Sequence, residues 1–120
     1  SRFDFLMEDK RTHQKALIEV KSVTLVKNGL ALFPDAPTTR GVKHIMDLTK
    51  AVTEYQVFMV FVVKRNDVTA FKPNGAIDPT FSQALIESME KDLQICSVKC
   101  LYDPIVKKEL KILEEIPIVQ

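Results

Sequence analysis

"ALIEVKSVTLV", residues 16–26, carries the β-branched and apolar content of a buried strand. Side chains alternate faces along a strand, so Glu19 and Lys21 point the same way, in line with Leu17, Val23 and Leu25. An acid and a base in an apolar row are costly to bury unless something pairs with them. The stretch predicts a core strand, and it places on that strand a charged pair that needs a reason.

On the N-terminal side, Arg2 to Glu8 reads as a second strand, with Phe3 and Phe5 on one face and Arg2, Asp4 and Leu6 on the other. The polar run "DKRTHQ" joins it to the first stretch. If Asp4 lies opposite Glu19, Phe5 meets Ile18, Leu6 meets Leu17 and Glu8 meets Lys15. That register gives apolar pairs in the middle and a favourable charge pair beside the turn. It also sets two carboxylates about 5 Å apart, which repels unless a cation sits between them. A slip of two residues would set Asp4 against Lys21 instead. In either register Asp4, Glu19 and Lys21 share one face.

On the C-terminal side, "KNG" at 27–29 is a turn signal, and "FPDAPTTRG" is a loop that ends at a helix start with Thr38 as N-cap. From there to Tyr55, residues Ile45, Leu48, Val52 and Tyr55 recur at helical spacing, with Arg40, Lys43, His44 and Asp47 on another side. The all-apolar run "VFMVFVV" at 57–63 reads as a central parallel strand covered on both faces. After "KPNGAIDP", Asp78 caps a second helix with Pro79 at its first position and Phe81, Leu85 and Met89 as its stripe. Strands near 94–102 and 105–113 close the chain, turned by Asp103–Pro104. The order β-β-α-β-α-β-β predicts a single α/β domain, a mixed β-sheet flanked by helices on both faces.

At 120 residues the chain has the length of one domain with one real core. It holds no apolar run long enough to span a membrane and no signal-peptide pattern, so a soluble, cytoplasmic protein is expected. It opens directly in a strand, which predicts a fragment of a longer protein. A net charge of +1 makes no global electrostatic case for a nucleic-acid partner. Residues 1–50 lean basic, with nine Lys/Arg against six Asp/Glu, while 51–120 hold eight against ten. Cys96 and Cys100 sit four apart on one strand. At about 3.3 Å per residue, roughly 13 Å separates their Cα atoms, beyond disulfide reach, so free thiols are expected.

Two carboxylates and a lysine two residues from one of them are what metal-dependent phosphodiester chemistry uses. Hard oxygen ligands hold Mg²⁺ or Mn²⁺, which takes one or two protein carboxylates and keeps waters. Asp4 and Glu19 would hold the ion with the carbonyl of Val20 as a further ligand. Lys21 would orient a water or neutralise charge developing on the phosphate. The plainer reading is an internal Asp–Lys–Glu network with no ion and no chemistry, and E-x-K alone does not separate the two. Arg40, Lys43 and His44 form a basic cluster on the first turns of the helix, where a phosphate would be favoured, and Gly41 beside them allows close approach. The plainer reading there is a solvated face with Asp47 pairing a lysine. Asp35 is read as a loop anchor, His13 as exposed, and Phe33 and Phe71 as buried anchors rather than base-stacking platforms.

"SRFDF", "IEVKSVTLV", "LFPDAPTTRGVKHIMDL", "VFMVFVV", "FKPNGAIDPTF" and "IPI", in this order and at these spacings, resemble the sugar fermentation stimulation protein A (SfsA) family through essentially the whole chain. The resemblance implies a restriction-endonuclease-like core of the PD-(D/E)xK kind, usually preceded by an OB-fold-like domain that binds nucleic acid and is absent here. By resemblance Asp4 matches the motif aspartate, in "FD" rather than "PD", while Glu19 and Lys21 match the (D/E)xK pair. A further acidic residue upstream of Ser1 would belong to the site in many such proteins. The implied function is DNA binding with a Mg²⁺-dependent nuclease-like site. The alternatives are a catalytically silent DNA-binding regulator of sugar (maltose) metabolism genes and a purely structural interaction domain. Fold similarity alone does not establish activity.

Overall fold

The computed structural model describes residues 3–103 and 109–120, and the side chains of 3–100 and 114–120. Phe5–Glu8 (β1) and Lys15–Val23 (β2) form an antiparallel hairpin in the register Phe5↔Ile18, Leu6↔Leu17, Met7↔Ala16, Glu8↔Lys15, the apolar-centred one of the two registers that the sequence leaves open. The strand starts later than expected. Asp4 stands in a bend just before β1, and Arg2 lies outside the described residues.

The run 16–26 is not one strand. After Val23 the chain leaves the sheet, and Leu25–Lys27 (β3) turns back through Asn28 and Gly29 into Leu30–Phe33 (β4). Both turn residues have positive φ, 51° and 77°, the two-residue hairpin that Asn-Gly favours. Leu25 therefore departs from the row of Glu19 and Lys21. The helix Thr39–Lys50 (α1) follows, capped by Thr38, whose hydroxyl accepts from Gly41 N–H at 2.9 Å. It ends earlier than the spacing predicts, in one 3₁₀ turn over Ala51–Thr53.

Gln56–Val63 (β5) pairs in parallel with β2, Ala70–Pro73 (β6) joins β4, and Pro79–Met89 (α2) starts at Asp78 as expected. Leu93–Asp103 (β7) and Glu109–Glu115 (β8) close the large sheet. Pro104 and the turn it was expected to make lie outside the described residues. The five-stranded sheet runs β1-β2-β5-β7-β8, parallel in its centre and antiparallel at both edges, and β3-β4-β6 form a second, smaller sheet. Parallel neighbours need long crossovers, and α1 and α2 lie in them.

The register sets one face of the large sheet: Leu17, Glu19, Lys21 and Val23 beside Val57, Met59, Phe61 and Val63. Against it pack Ile45 and Leu48 of α1, Phe81 and Leu85 of α2, and Ala31 and Phe71 of the small sheet, all buried. Phe61 stacks on Phe71 with ring centres 4.4 Å apart, and Phe33 lies 5.3 Å from both Phe61 and Phe81. Phe71 is the buried anchor expected of it, while Phe33 is half-buried against the same rings.

The mixed sheet flanked by helices stands as predicted, but the helices do not divide between its faces. Ile18, Val20, Phe58, Val60, Val62, Cys96 and Val98 line the opposite face and are only half-buried. The reason is helix–helix packing: a side chain at Gly41 would meet the Phe81 ring at 3.0 Å, so α1 and α2 lie close together on one side. Cys96 and Cys100 are unbridged. Met89 is 39% exposed and leaves the α2 stripe to Phe81 and Leu85. Among the described residues no helix is long and apolar enough to cross a membrane.

Candidate functional site

β1 pairs with β2 only as far as Phe5↔Ile18, so Val20 lies beyond the last ladder partner. Its N–H donates to Oδ2 of Asp4 at 2.8 Å. A backbone donor at the end of a ladder needs such an acceptor, and Asp4 at the bend supplies it. This bond is the first reason that the Asp4 carboxyl lies below the ordinary range, and a hydrogen bond with the Glu19 carboxyl and the charge of Lys21 add to it.

Glu19 follows the same alternation inward and ends almost sealed, 4% exposed, with Oε2 lacking any hydrogen-bond partner. Burial and the adjacent Asp4 carboxylate push its carboxyl from 4.5 up to about 7, against the pull of Lys21 and Arg40. Lys21 reaches from the same row to His44, with Nζ 2.8 Å from Nδ1. His44 is 6% exposed on α1, and its Nδ1 stands 3.7 Å from Glu19 Oε2, too far for a hydrogen bond. Burial lowers the pKa of Lys21 and of His44, and the charge of Arg40 lowers both further.

The structure thus brings together Asp4, Glu19, Val20, Lys21 and His44, with Arg40 close enough for its charge to act on three of them. Lys43 is exposed and bridges to Asp47 at 3.0 Å, the pairing that the plainer reading proposed. His44 is not on that outer face. It falls on the buried stripe with Gly41, Ile45 and Leu48, and the 41-44-45-48 spacing was visible in the sequence. Gly41 gives room to Phe81 and Thr38 rather than to a ligand.

Asp35 is exposed, and the loop before α1 is held by other groups. Asn74 Nδ2 donates to the Pro34 carbonyl at 2.9 Å, and Asp78 Oδ2 accepts from Thr38 N–H at 2.8 Å while its Oδ1 accepts from Phe81 N–H at 3.0 Å. Asp78 therefore caps its own helix and ties down the start of the helix carrying His44. Its side chain reaches forty residues back along the chain, which a local cap signal does not show. His13, at the hairpin turn, is exposed and 3.5 Å from Glu8.

A divalent ion fits this arrangement by one observation: Glu19 has a buried, orphaned carboxylate oxygen beside a second carboxylate. Burial first, and the Asp4 carboxylate second, favour the protonated form of Glu19, which a cation bound there would replace. Among the described residues no group of three or more His, Cys, Asp and Glu is placed to hold a metal. Two carboxylates suit an ion that retains water, as Mg²⁺ does.

The model of the sugar fermentation stimulation protein RE domain matches residues 1–105. The chain belongs to the sugar fermentation stimulation protein family. It is 46% identical to the homologue from Aquifex aeolicus over 99 residues, covering 82% of this chain and 44% of that protein. It is 42% identical to the homologue from Pyrobaculum islandicum over 118 residues, 98% and 49% of the two. Pyrococcus furiosus SfsA, solved in complex with Ca²⁺, superposes with a TM-score of 0.89 at 27% identity, covering all of this chain and 51% of that one. The chain thus spans about half the length of these relatives. The fold and family match the sequence-based expectation.

Proposed function

We propose that this chain is the nuclease-like part of a DNA-binding protein of the SfsA type, with a Mg²⁺- or Mn²⁺-dependent site for phosphodiester hydrolysis. The observation carrying the reading is the sealed Glu19 carboxylate with an orphaned oxygen beside Asp4, followed two residues later by Lys21. Asp4, Glu19 and the Val20 carbonyl hold the ion. When bound, it polarises a phosphate oxygen and acidifies a water. Lys21 orients that water and neutralises charge developing on the phosphate. Arg40, in the first turn of α1, takes a neighbouring phosphate where the helix end favours an anion, and exposed Lys43 extends the basic side. DNA is engaged chiefly through the part of the relatives' length that this chain does not span. The free thiols suit a reducing compartment such as the cytoplasm. P. furiosus SfsA in complex with Ca²⁺ supports a hard-cation site of this kind.

The test is cleavage of labelled DNA and RNA by the full-length protein with Mg²⁺, with Mn²⁺ and without metal. Metal-dependent cleavage lost in both Glu19→Gln and Lys21→Met supports the reading. Cleavage that persists in Lys21→Met, or none on any substrate, overturns it. A specific observation favours a second reading, a catalytically silent regulator of sugar (maltose) metabolism genes. Asp4 already serves Val20 and Lys21 already has His44, so most of the cluster is satisfied internally. DNA binding by the full-length protein without cleavage is its expected result.

A further inference from the structure

His44 was grouped by sequence with Arg40 and Lys43 as a phosphate contact, yet its side chain is 8% exposed and faces inward. We propose that His44 is a positioning residue for Lys21: its Nδ1 accepts a hydrogen bond from the ammonium and fixes where the remaining two N–H groups point. This rests on the proposed function for its consequence in catalysis, though not for the contact itself.

The geometry leaves little choice of roles. A lysine ammonium has three donors and no acceptor, so at 2.8 Å the facing nitrogen must present its lone pair. His44 is then the tautomer protonated at Nε2. The same assignment explains Glu19. With Nδ1 turned over to Lys21 and 3.7 Å away, the imidazole gives no hydrogen bond to Oε2, which stays orphaned and open to another partner. Lysine is a flexible stem carrying a point charge, and without a fixed acceptor its head samples many rotamers. A group that must meet a phosphate or a water needs its place held by a rigid neighbour. α1 supplies that rigidity: Thr38 caps its first turn, Asp78 holds Thr38, and Gly41 packs the helix against Phe81. The basic residue of the β2 row is thus aimed from the helix, across the same core that buries Phe61.

Two substitutions separate positioning from packing. His44→Asn keeps an acceptor near the Nδ1 position, whereas His44→Phe keeps the bulk and removes it. Nitrogen-15 spectra of the histidine side chains should show His44 in the wild type with Nδ1 unprotonated and Nε2 protonated. The Lys21 ammonium should give a slowly exchanging ¹H–¹⁵N cross-peak in the wild type and in His44→Asn, and that peak should be lost in His44→Phe, with melting curves that remain cooperative. A Lys21 peak that survives in His44→Phe overturns the proposal, as does its loss in both folded variants or a proton found on Nδ1 of the wild type. If His44→Phe does not fold, the wild-type tautomer decides alone. In a full-length protein that cleaves nucleic acid, the Phe variant should lower kcat with KM unchanged and the Asn variant should restore it. Absence of cleavage bears on the proposed function and leaves the tautomer and cross-peak result standing.

Discussion

Glu19→Gln should stabilise the metal-free protein, and by an amount that grows with pH. Raising the Glu19 carboxyl from 4.5 to about 7 means that the folded state resists its ionisation. The sign follows from linkage: a group whose pKa is higher folded than unfolded contributes stability below its unfolded value and loses it as pH rises through the folded one. The window is therefore pH 4.5 to 7. At about 1.4 kcal/mol per pH unit, the ionised carboxylate costs about 3 kcal/mol once pH is well above 7. For a chain of 120 residues that is roughly 10 °C of melting temperature. His44 works in the opposite direction, since burial lowers its pKa and its protonation as pH falls favours unfolding. The raw pH profile of the wild type mixes the two, and the difference between variant and wild type retains Glu19 together with its coupling to Asp4, Lys21 and His44. The assay is urea or thermal denaturation in chelator across that range. A difference that stays flat with pH would mean instead that Glu19 is ionised and satisfied within the protein.

Asp78→Ala removes two charge-assisted bonds, to Phe81 and Thr38, and should cost about 2 kcal/mol in chemical denaturation. Those bonds hold the Asp78 carboxyl below its ordinary range, so the stability they give should fade only at acidic pH. Gly41→Ala gains helix propensity but drives a methyl to 2.8 Å from Thr38 and 3.0 Å from Phe81, so a net loss of about 1–3 kcal/mol is expected by the same measurement. A neutral or stabilising result would show that α1 and α2 can move apart. Intact mass under non-reducing conditions should give two free thiols, and alkylation should be slow because burial pushes both Cys96 and Cys100 above the usual thiol pKa.

Local signals read well where the physics is local. Alternation around Glu19 and the apolar run at 57–63 placed β2 and β5, and Thr38 and Asp78 marked both helix starts. Of the two β1 registers that the sequence left open, the one with apolar pairs in the middle and Glu8 opposite Lys15 is the one formed. The small sheet did not follow, because its three short strands come from Leu25–Lys27, Leu30–Phe33 and Ala70–Pro73, and the last is separated from the others in sequence by α1 and β5. The side of the sheet taken by α1 and α2 was hidden for a similar reason, since the Gly41–Phe81 contact joins two separate helices. At the site, Glu19 and Lys21 were legible from two-residue periodicity on β2, whereas Asp4 stands in the bend before β1 and reaches them through its bond to Val20. The burial of His44 was written in its helical stripe but masked by Arg40 and Lys43, the basic residues that precede it.

In the proposed site Asp4 and Glu19 hold a divalent ion where Glu19 otherwise holds a proton. Calorimetric titration of Mg²⁺ or Mn²⁺ near pH 7, repeated in two buffers of different ionisation enthalpy, measures both events together. Ion binding should release a fraction of a proton, the release should shrink as pH rises and Glu19 is already ionised, and Glu19→Gln should lose both binding and release. No binding by the wild type, or binding by Glu19→Gln as tight as the wild type's, would contradict the proposed site.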